Sequence, residues 1–226
     1  MTIKSRAMNR KLLFGIIFLG SIFIMQQVRA QAFLGALAFG GNLTQVDGDE
    51  VYGFKKIGFN VGVAAIYPFD DKWSLSIEAS YSQKGAYQKY PHQADPTKLL
   101  PYYNLRLSYL EVPLIAHFTD KGFLNFGLGL SWGRLVGIKE IEWGETVHSS
   151  TTNSPYSDND INGIVSIQIP IYKRFKFNFR YAYSFAKIRT REFSNIFGDT
   201  WKRDQYNNIL TFRIIYVFNE RIKKEE

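Results

Sequence analysis

The most constraining feature of this chain is an alternation of apolar and polar side chains at every second position. In residues 73–83 the even-numbered positions hold serines and Glu78, whereas the odd-numbered ones are apolar up to the final Gln83. Successive side chains of a β-strand point to opposite faces, so this period of two predicts a strand with one apolar face. The segment also matches the roughly 9–11 residues that a tilted strand needs to cross a membrane.

A second segment, residues 175–185, carries an aromatic side chain at every odd-numbered position. So many rings on one strand face are hard to place in the core of a small soluble sandwich. They suit a face that meets lipid, with the tyrosines near the headgroups. The rings are those of Phe175, Phe177, Phe179, Tyr181, Tyr183 and Phe185.

The alternation recurs in eight segments, and the connections between them are short and long in turn. Outer-membrane barrels have short periplasmic turns and long outer loops. The sequence therefore predicts an all-β fold, an eight-stranded antiparallel up-and-down transmembrane β-barrel with both termini in the periplasm; a soluble β-barrel is the alternative. The predicted strands are 32–44, 58–67, 73–84, 103–118, 123–138, 161–171, 174–187 and 206–218. The short connections are Pro68–Lys72, Thr119–Gly122 and Tyr172–Lys173, and the long ones are 45–57, 85–102, 139–160 and 188–205.

The fourth predicted strand departs from this pattern near its centre. Leu105, Leu107 and Tyr109 share one parity, and the apolar residues from Leu110 onward share the other. A β-bulge near Tyr109 would reconcile the two sets. Pro113 lacks the N–H that a closed sheet requires, which predicts a further local irregularity.

The first thirty residues have the pattern of a secretory signal peptide. A basic segment, Lys4–Lys11, precedes the apolar run Leu12–Met25, and Val28 and Ala30 stand at the −3 and −1 positions of a cleavage site. The apolar run is shorter than the roughly 20 residues that a spanning helix needs. We therefore expect a cleaved signal peptide at 1–30, an outer-membrane β-barrel at 31–218 and a short periplasmic tail at 219–226.

Composition narrows the range of functions. The chain has no cysteine, which excludes disulfides and thiolate metal sites, and its mean hydropathy of −0.18 excludes a bundle of membrane helices. The formal charge of +8 includes five basic residues and no acidic residue from the first thirty positions, so residues 31–226 hold 23 basic and 20 acidic groups. This near balance removes the support for nucleic-acid binding.

Three motifs carry a resemblance to a known family. They are Asp47-Gly48-Asp49 followed by Gly53-Phe54-Lys55-Lys56-x-Gly58, then Glu78-x-x-Tyr81-Ser82-Gln83-Lys84-Gly85, then Tyr109-Leu110-Glu111-Val112-Pro113. Together they resemble the PorT-like outer-membrane β-barrel family, over nearly all of residues 31–226 and most strongly over 35–118. The resemblance implies an outer-membrane location and, because PorT is needed for type IX secretion, a role in that machinery. The motifs mark a barrel and its loops and no chemistry.

The positions that alternate with the apolar ones face the interior of the predicted barrel, and several of them carry charged side chains. An eight-stranded barrel is filled by its own side chains, so it is a plug rather than a pore. Because an unpaired buried charge is costly, we expect Glu78 and Glu111 to pair with Arg180, with Arg213 or with both, in a structural role. A catalytic carboxylate pair is the alternative, and it is disfavoured because a filled lumen gives a substrate no access. The inward charges are Glu78, Glu111, Lys176, Arg180 and Arg213.

Histidine is scarce, which argues against a lipid-A-modifying barrel enzyme with a Ser and a His near its outer rim. His92 with Ser82 and His148 beside Ser149 are the outer pairs, and neither spacing matches a nucleophile motif. His117 lies at the periplasmic end of its strand. We therefore expect no enzyme activity, no catalytic residue and no cofactor.

Two outer loops hold candidate contact residues. Basic and aromatic side chains of the fourth loop would bind lipopolysaccharide phosphates or a partner protein; an ordinary aromatic rim is the alternative. In the first loop, Asp47-x-Asp49-Glu50 lacks the further ligands of an EF-hand, so we expect a solvated turn and no metal site. The fourth-loop candidates are Arg189, Arg191, Trp201, Lys202 and Arg203, beside Phe193 and Phe197.

The leading expectation is a non-enzymatic, monomeric barrel that serves as a structural or interaction component of the cell envelope. Its specific form is an accessory or assembly subunit of type IX secretion. A stand-alone structural or adhesive barrel of the OmpX type is the alternative, and a lipid-A-modifying enzyme is the minor one. The expected partners are outer-membrane lipid, lipopolysaccharide and other envelope proteins, with no nucleic acid.

Overall fold

The structure, a computed structural model, describes residues 33–89, 102–121, 123–195 and 197–220. The predicted signal peptide at 1–30 lies outside the described residues, as do His92 and residues 221–226 of the predicted tail. In the part of the chain that is described, no helix is long and apolar enough to cross a membrane.

Eleven strands run through the described ranges, and every ladder between them is antiparallel. They are β1 (Leu34–Asp47), β2 (Lys56–Pro68), β3 (Trp73–Lys84), β4 (Tyr87–Lys89), β5 (Tyr102–Asp120), β6 (Leu124–Glu142), β7 (Glu145–His148), β8 (Asn159–Tyr172), β9 (Phe175–Ser184), β10 (Arg189–Ser194) and β11 (Thr200–Val217).

Eight of these strands close into a ring. Their order is β1–β2–β3–β5–β6–β8–β9–β11, and β11 returns to pair with β1, aligning Asn42 with Thr211. Short turns follow β2, β5 and β8, at the end of the ring where β1 begins and β11 finishes. The predicted eight-stranded antiparallel up-and-down barrel is therefore confirmed.

Strands β4, β7 and β10 lie outside the ring, and each pairs with the outer part of a ring strand. They fall within 85–102, 139–160 and 188–205, so the prediction of loops throughout these stretches is wrong. Ring strands also pass their predicted ends, with β6 reaching Glu142 and β11 starting at Thr200. Above a bilayer the outward face need not be apolar, so the alternation fades while the ladder continues.

At membrane level, the distribution of buried and exposed side chains is the reverse of that in a soluble protein. Large apolar side chains are exposed on the outside, and polar side chains such as Asn42, Asn60 and Ser76 are buried inside. An outer surface that meets lipid explains this arrangement. Neighbouring outward rings also contact one another, with centroids 5.2 Å apart for Phe179 and Phe212. The exposed apolar residues include Leu37, Phe39, Val61, Val63, Ile77, Leu110, Leu114, Leu128, Leu130, Trp132, Val165 and Ile214.

The parity change in the fourth predicted strand has a different cause from the predicted one. Odd-numbered residues of β5 from Tyr103 to His117 are buried throughout, so Leu105 and Leu107 point inward while Leu110 points to lipid. The two apolar sets therefore lie on opposite faces of one regular strand. The interior itself changes from polar at membrane level to apolar near the outer end.

The predicted irregularities do occur beside β5. Its register with β6 shifts between Ser108 and Tyr109, and the extra residue is Val136 of β6. The β3–β5 ladder has no pair at Pro113, as a residue without an N–H requires.

Gly85, where β3 gives way to β4, is expected to tolerate no side chain. Its φ is +140°, and a Cβ would overlap the carbonyl oxygen of Leu105. We expect Gly85→Ala to lower the free energy of unfolding by about 1–3 kcal/mol. The check is the urea midpoint of the refolded barrel, with Gly137→Ala as the matched control. Gly137 has room for a methyl group, the nearest atom being 3.5 Å away, and equal midpoints for the two variants would contradict the expectation.

Candidate functional site

A buried ion cluster crosses the middle of the barrel. The Glu78 carboxylate accepts hydrogen bonds from Nη2 of Arg180 at 2.7 Å and from Nη1 of Arg213 at 3.1 Å. Glu78 lies on β3, and Arg180 lies on β9, four places away in the eight-membered ring. The pair therefore connects opposite walls of the lumen. The structure thus brings together three of the four residues that we predicted to interact.

Arg213 is completely enclosed, and neutral groups complete its coordination. It is 1% exposed, and its Nη2 and Nε donate to the amide oxygen of Asn178 at 2.9 and 3.1 Å. Nη1 also donates to Asn60 at 3.2 Å. A buried cation with both a carboxylate and amide acceptors has most of its donors satisfied, which offsets much of its desolvation cost.

Glu111 belongs to a second cluster, nearer the outer end, so its predicted pairing with an arginine needs correction. Its ion pair is with Nζ of Lys84, at 2.6 Å, and the same Nζ lies 2.8 Å from Asp160. Asp160 also accepts hydrogen bonds from Ser184 and Asn207. Lys84 and Glu111 sit on neighbouring strands, whereas the arginines reach the lumen from the far wall, so the lysine is the nearer cation.

A third cluster occupies the outer mouth. Nη1 of Arg189 donates to both oxygens of Glu140 at 3.0 Å, its Nε donates to Gln205, and His148 bonds Glu140 at 2.9 Å. Arg189 is 7% exposed, so it is not available as the surface contact that we predicted. Around this cluster lies an apolar layer that closes the lumen. It consists of Val46, Val51, Ala86, Tyr103, Leu105, Leu107, Tyr109, Leu135, Ile138, Tyr156 and Ile188.

The periplasmic end holds a serine, a histidine and an asparagine in a chain. Ser76 Oγ lies 2.8 Å from Nε2 of His117, and Nδ1 of His117 lies 2.9 Å from Asn125 Oδ1. A nucleophile, a base and an orienting group have this order in hydrolases. Here Ser76 is 2% exposed, and the cleft at this end reaches His117 without reaching Ser76. The arrangement is that of a satisfied polar core. Nearby, Lys176 pairs with Glu220 at 2.7 Å.

Little space remains between the central clusters. The gap lined by Lys84, Glu111 and Arg180 has a volume of about 10 Å³, room for a single water molecule. Among the described residues, therefore, the lumen is filled by its own side chains at the level of the central ion clusters.

The remaining predicted contact residues do reach the outer surface. Lys202 and Arg203 are exposed on β11, and Trp201 donates from Nε1 to Glu50 at 3.1 Å. Arg191 is half-buried and pairs with Glu142 at 2.7 Å. These residues form one rim, built by the β10–β11 hairpin and the loop after β1.

The first loop forms a turn around Asp49. Oδ1 of Asp49 accepts the backbone N–H of Val51 at 2.8 Å, while Oδ2 is buried with no hydrogen-bond partner in the described residues. Burial raises the pKa of Asp49 to about 7. Among the described side chains, no group of three or more acids and histidines is placed to hold a metal ion.

The raised pKa of Asp49 predicts a pH dependence of stability. The folded chain keeps this proton up to about pH 7, whereas the unfolded chain loses it near pH 4, so stability falls as pH rises between the two values. We expect Asp49→Asn to remove this loss and to gain about 2–4 kcal/mol over the natural chain at pH 8. Urea midpoints of both chains at pH 5 and pH 8 give the measurement. A constant difference between them at the two pH values would contradict the assignment.

A closed antiparallel ring with an apolar exterior and a filled, polar interior defines an integral β-barrel of the outer membrane. The sequence matches the model of the outer membrane protein beta-barrel domain family over residues 25–189. The chain belongs to this family, and its location is the outer membrane.

Several solved structures of outer-membrane proteins are similar to this chain at low sequence identity. Ail, the attachment invasion locus protein of Yersinia pestis, is 14% identical with a TM-score of 0.48, the match covering 83% of this chain and all of Ail. Neisserial surface protein A is 12% identical with a TM-score of 0.45, covering 81% and 95%. OprG of Pseudomonas aeruginosa is 11% identical with a TM-score of 0.41, covering 84% and 97%. Among curated proteins, none matches significantly.

Proposed function

We propose that this protein is a non-enzymatic outer-membrane barrel that acts as a structural and interaction component of the envelope. The observation that carries the proposal is the filled lumen, in which buried ion clusters and an apolar layer occupy the space that a pore or a substrate would need. His117 and His148 are both engaged by neighbouring side chains. These features support function through the rim rather than through the interior.

The specific role that we propose is an accessory or assembly subunit of type IX secretion. The PorT-like motifs support it, and so does the outer end, where β4, β7 and β10 extend the ring into paired hairpins. Paired backbone in these hairpins makes a more rigid docking surface than free loops.

A stand-alone adhesive barrel is the second candidate, and exposed aromatic side chains at the outer end favour it. Tyr52, Trp143 and Phe197 are 77%, 65% and 84% exposed. Aromatic side chains of this kind are frequent anchors in protein interfaces. Such a barrel would bind an external surface without any secretion partner.

A mild-detergent pull-down of the tagged protein from its native outer membrane separates the two roles. Phe197→Ser removes an exposed ring at the outer end, and Phe69→Ser is the matched control in the β2–β3 turn at the opposite end. We expect a stoichiometric partner whose recovery falls with Phe197→Ser and not with Phe69→Ser, and reduced type IX export in a deletion strain. A clean monomer with normal export would contradict the secretion role.

A further inference from the structure

A cleft of about 290 Å³ opens at the outer mouth, between elements far apart in sequence. Its lining residues come from the loop after β1, from β5, from the β6–β7 turn and from β10. Its chemistry combines carboxyl groups, aromatic rings and one guanidinium. The lining residues are Asp49, Glu50, Val51, Tyr103, Glu142, Trp143, Arg191 and Phe193.

The carboxyl groups of this cleft differ in whether they form a direct ion pair with a cation. Glu142 is paired with Arg191 at 2.7 Å, and Glu50 accepts from Trp201 and lies 3.7 Å from Nε of Arg203. Asp49, by contrast, is 4% exposed, and its Oδ2 has no hydrogen-bond partner among the described residues. An unsatisfied buried carboxyl oxygen is costly, and a bound donor would remove that cost.

The rings beside Asp49 already hold one cation. The guanidinium of Arg191 lies 5.7 Å from the ring centroid of Tyr103 and 5.1 Å from that of Phe193. Aromatic faces attract organic cations, and a ring next to a carboxylate is a common way of binding them. Trp143, on the rim of the same cleft, adds a further aromatic side chain.

We propose that this outer cleft binds a small organic cation, an alkylammonium group, through the Asp49 carboxylate and the surrounding rings. The ionised carboxylate is the binding form, and burial raises the pKa of Asp49 to about 7, so binding tightens by about tenfold between pH 6 and pH 8. The charged or titratable groups nearest this carboxyl are Asp47 on β1, Glu50 in the same loop, Tyr103 on β5, Glu140 and Glu142 on β6, and Arg189 and Arg191 on β10.

The test is titration of the detergent-solubilised barrel, followed by tryptophan fluorescence and by calorimetry. The probes are butylammonium, N-acetyl-lysine methylamide and the uncharged N-acetyl-norleucine methylamide. We expect saturable binding of a cationic probe, no binding of the neutral one and tighter binding at pH 8 than at pH 6. Binding of both cations shows that an alkylammonium group is sufficient, as a free amine or a lysine side chain would supply it, and binding of the lysine derivative alone shows that the flanking amides are also needed, as in a peptide partner.

Asp49→Asn keeps the oxygen that accepts the Val51 N–H and removes the charge. We expect it to weaken binding at pH 8 by at least about tenfold and to abolish the pH dependence. Asp70→Asn, in the periplasmic turn, is the matched control and should leave binding unchanged. Equal affinity for the neutral probe, unchanged affinity in Asp49→Asn or no saturable binding in the millimolar range would overturn the proposal.

Discussion

Replacing Glu78 with alanine is expected to lower the free energy of unfolding by about 3–5 kcal/mol. The carboxylate is the shared anionic partner of Arg180 and Arg213, which are 4% and 1% exposed. Without it, two buried guanidinium groups lose the anion that they share. The measurement is urea unfolding in lipid vesicles, followed by tryptophan fluorescence and gel mobility.

Ser80→Ala is the matched control for Glu78→Ala. Ser80 lies two residues further along β3, points into the same lumen and is 5% exposed, but its Oγ has no hydrogen-bond partner in the described residues. We expect its removal to change the free energy of unfolding by less than about 1 kcal/mol. Similar losses for the two variants would show that the ion cluster contributes nothing beyond packing.

Lys84→Met is expected to cost about as much, again about 3–5 kcal/mol. Lys84 is the buried cation between Glu111 and Asp160, so its loss leaves two carboxylates close together with no cation between them. Methionine keeps most of the aliphatic volume of the lysine side chain, so the expected loss of stability comes from the missing charge. The refolding yield and the urea midpoint at neutral pH measure it.

The control for Lys84→Met is the same substitution at Lys187. That lysine pairs with Asp204 at 3.2 Å, but both side chains are about half exposed. Exposed pairs contribute about 0–1 kcal/mol, so Lys187→Met should be nearly neutral. If both substitutions had small effects, the carboxylates would have found another partner or taken up a proton.

The ring of eight strands could be predicted because lipid imposes one rule on every membrane strand. Phe179 and Leu128 must be apolar on the outside, and Asn178 and Gly127 face inward by parity. This rule applies only to the part of each strand that lies in the membrane. In β5, Leu105 and Leu107 fill the interior above the bilayer. Inward-facing positions of the strands are polar at membrane level, and they are apolar in this outer part of the barrel.

The ion clusters were predictable only in part. Glu78 and Arg180 stand out because each is a charge within a long alternating run, and parity alone directs both inward. Lys84 has the same inward parity and ends the predicted strand 73–84, but the prediction did not include it among the inward charges. Which acid meets which base depends on the register between strands and on how far each side chain reaches across the lumen, and the alternation in one sequence does not contain that information. For this reason Glu111 was assigned to the wrong cation.

The outer cleft was missed for a related reason. Asp49, Tyr103 and Arg191 come from three distant segments, and β10 itself was predicted as loop. The local pattern predicts a solvated turn at Asp49; the turn is present, but the prediction that it is solvated is wrong, because the Asp49 side chain is buried. Its unpaired oxygen and its aromatic neighbours become visible once the strands are placed.

The most direct test of a filled, pore-free barrel is the conductance of the purified protein reconstituted into planar bilayers. Because the central ion clusters and the apolar outer layer fill the lumen, we expect heat-modifiable, folded protein that gives no discrete conductance steps. A reproducible unit conductance from the folded natural chain would contradict the plug, and with it the proposal that the protein acts through its rim.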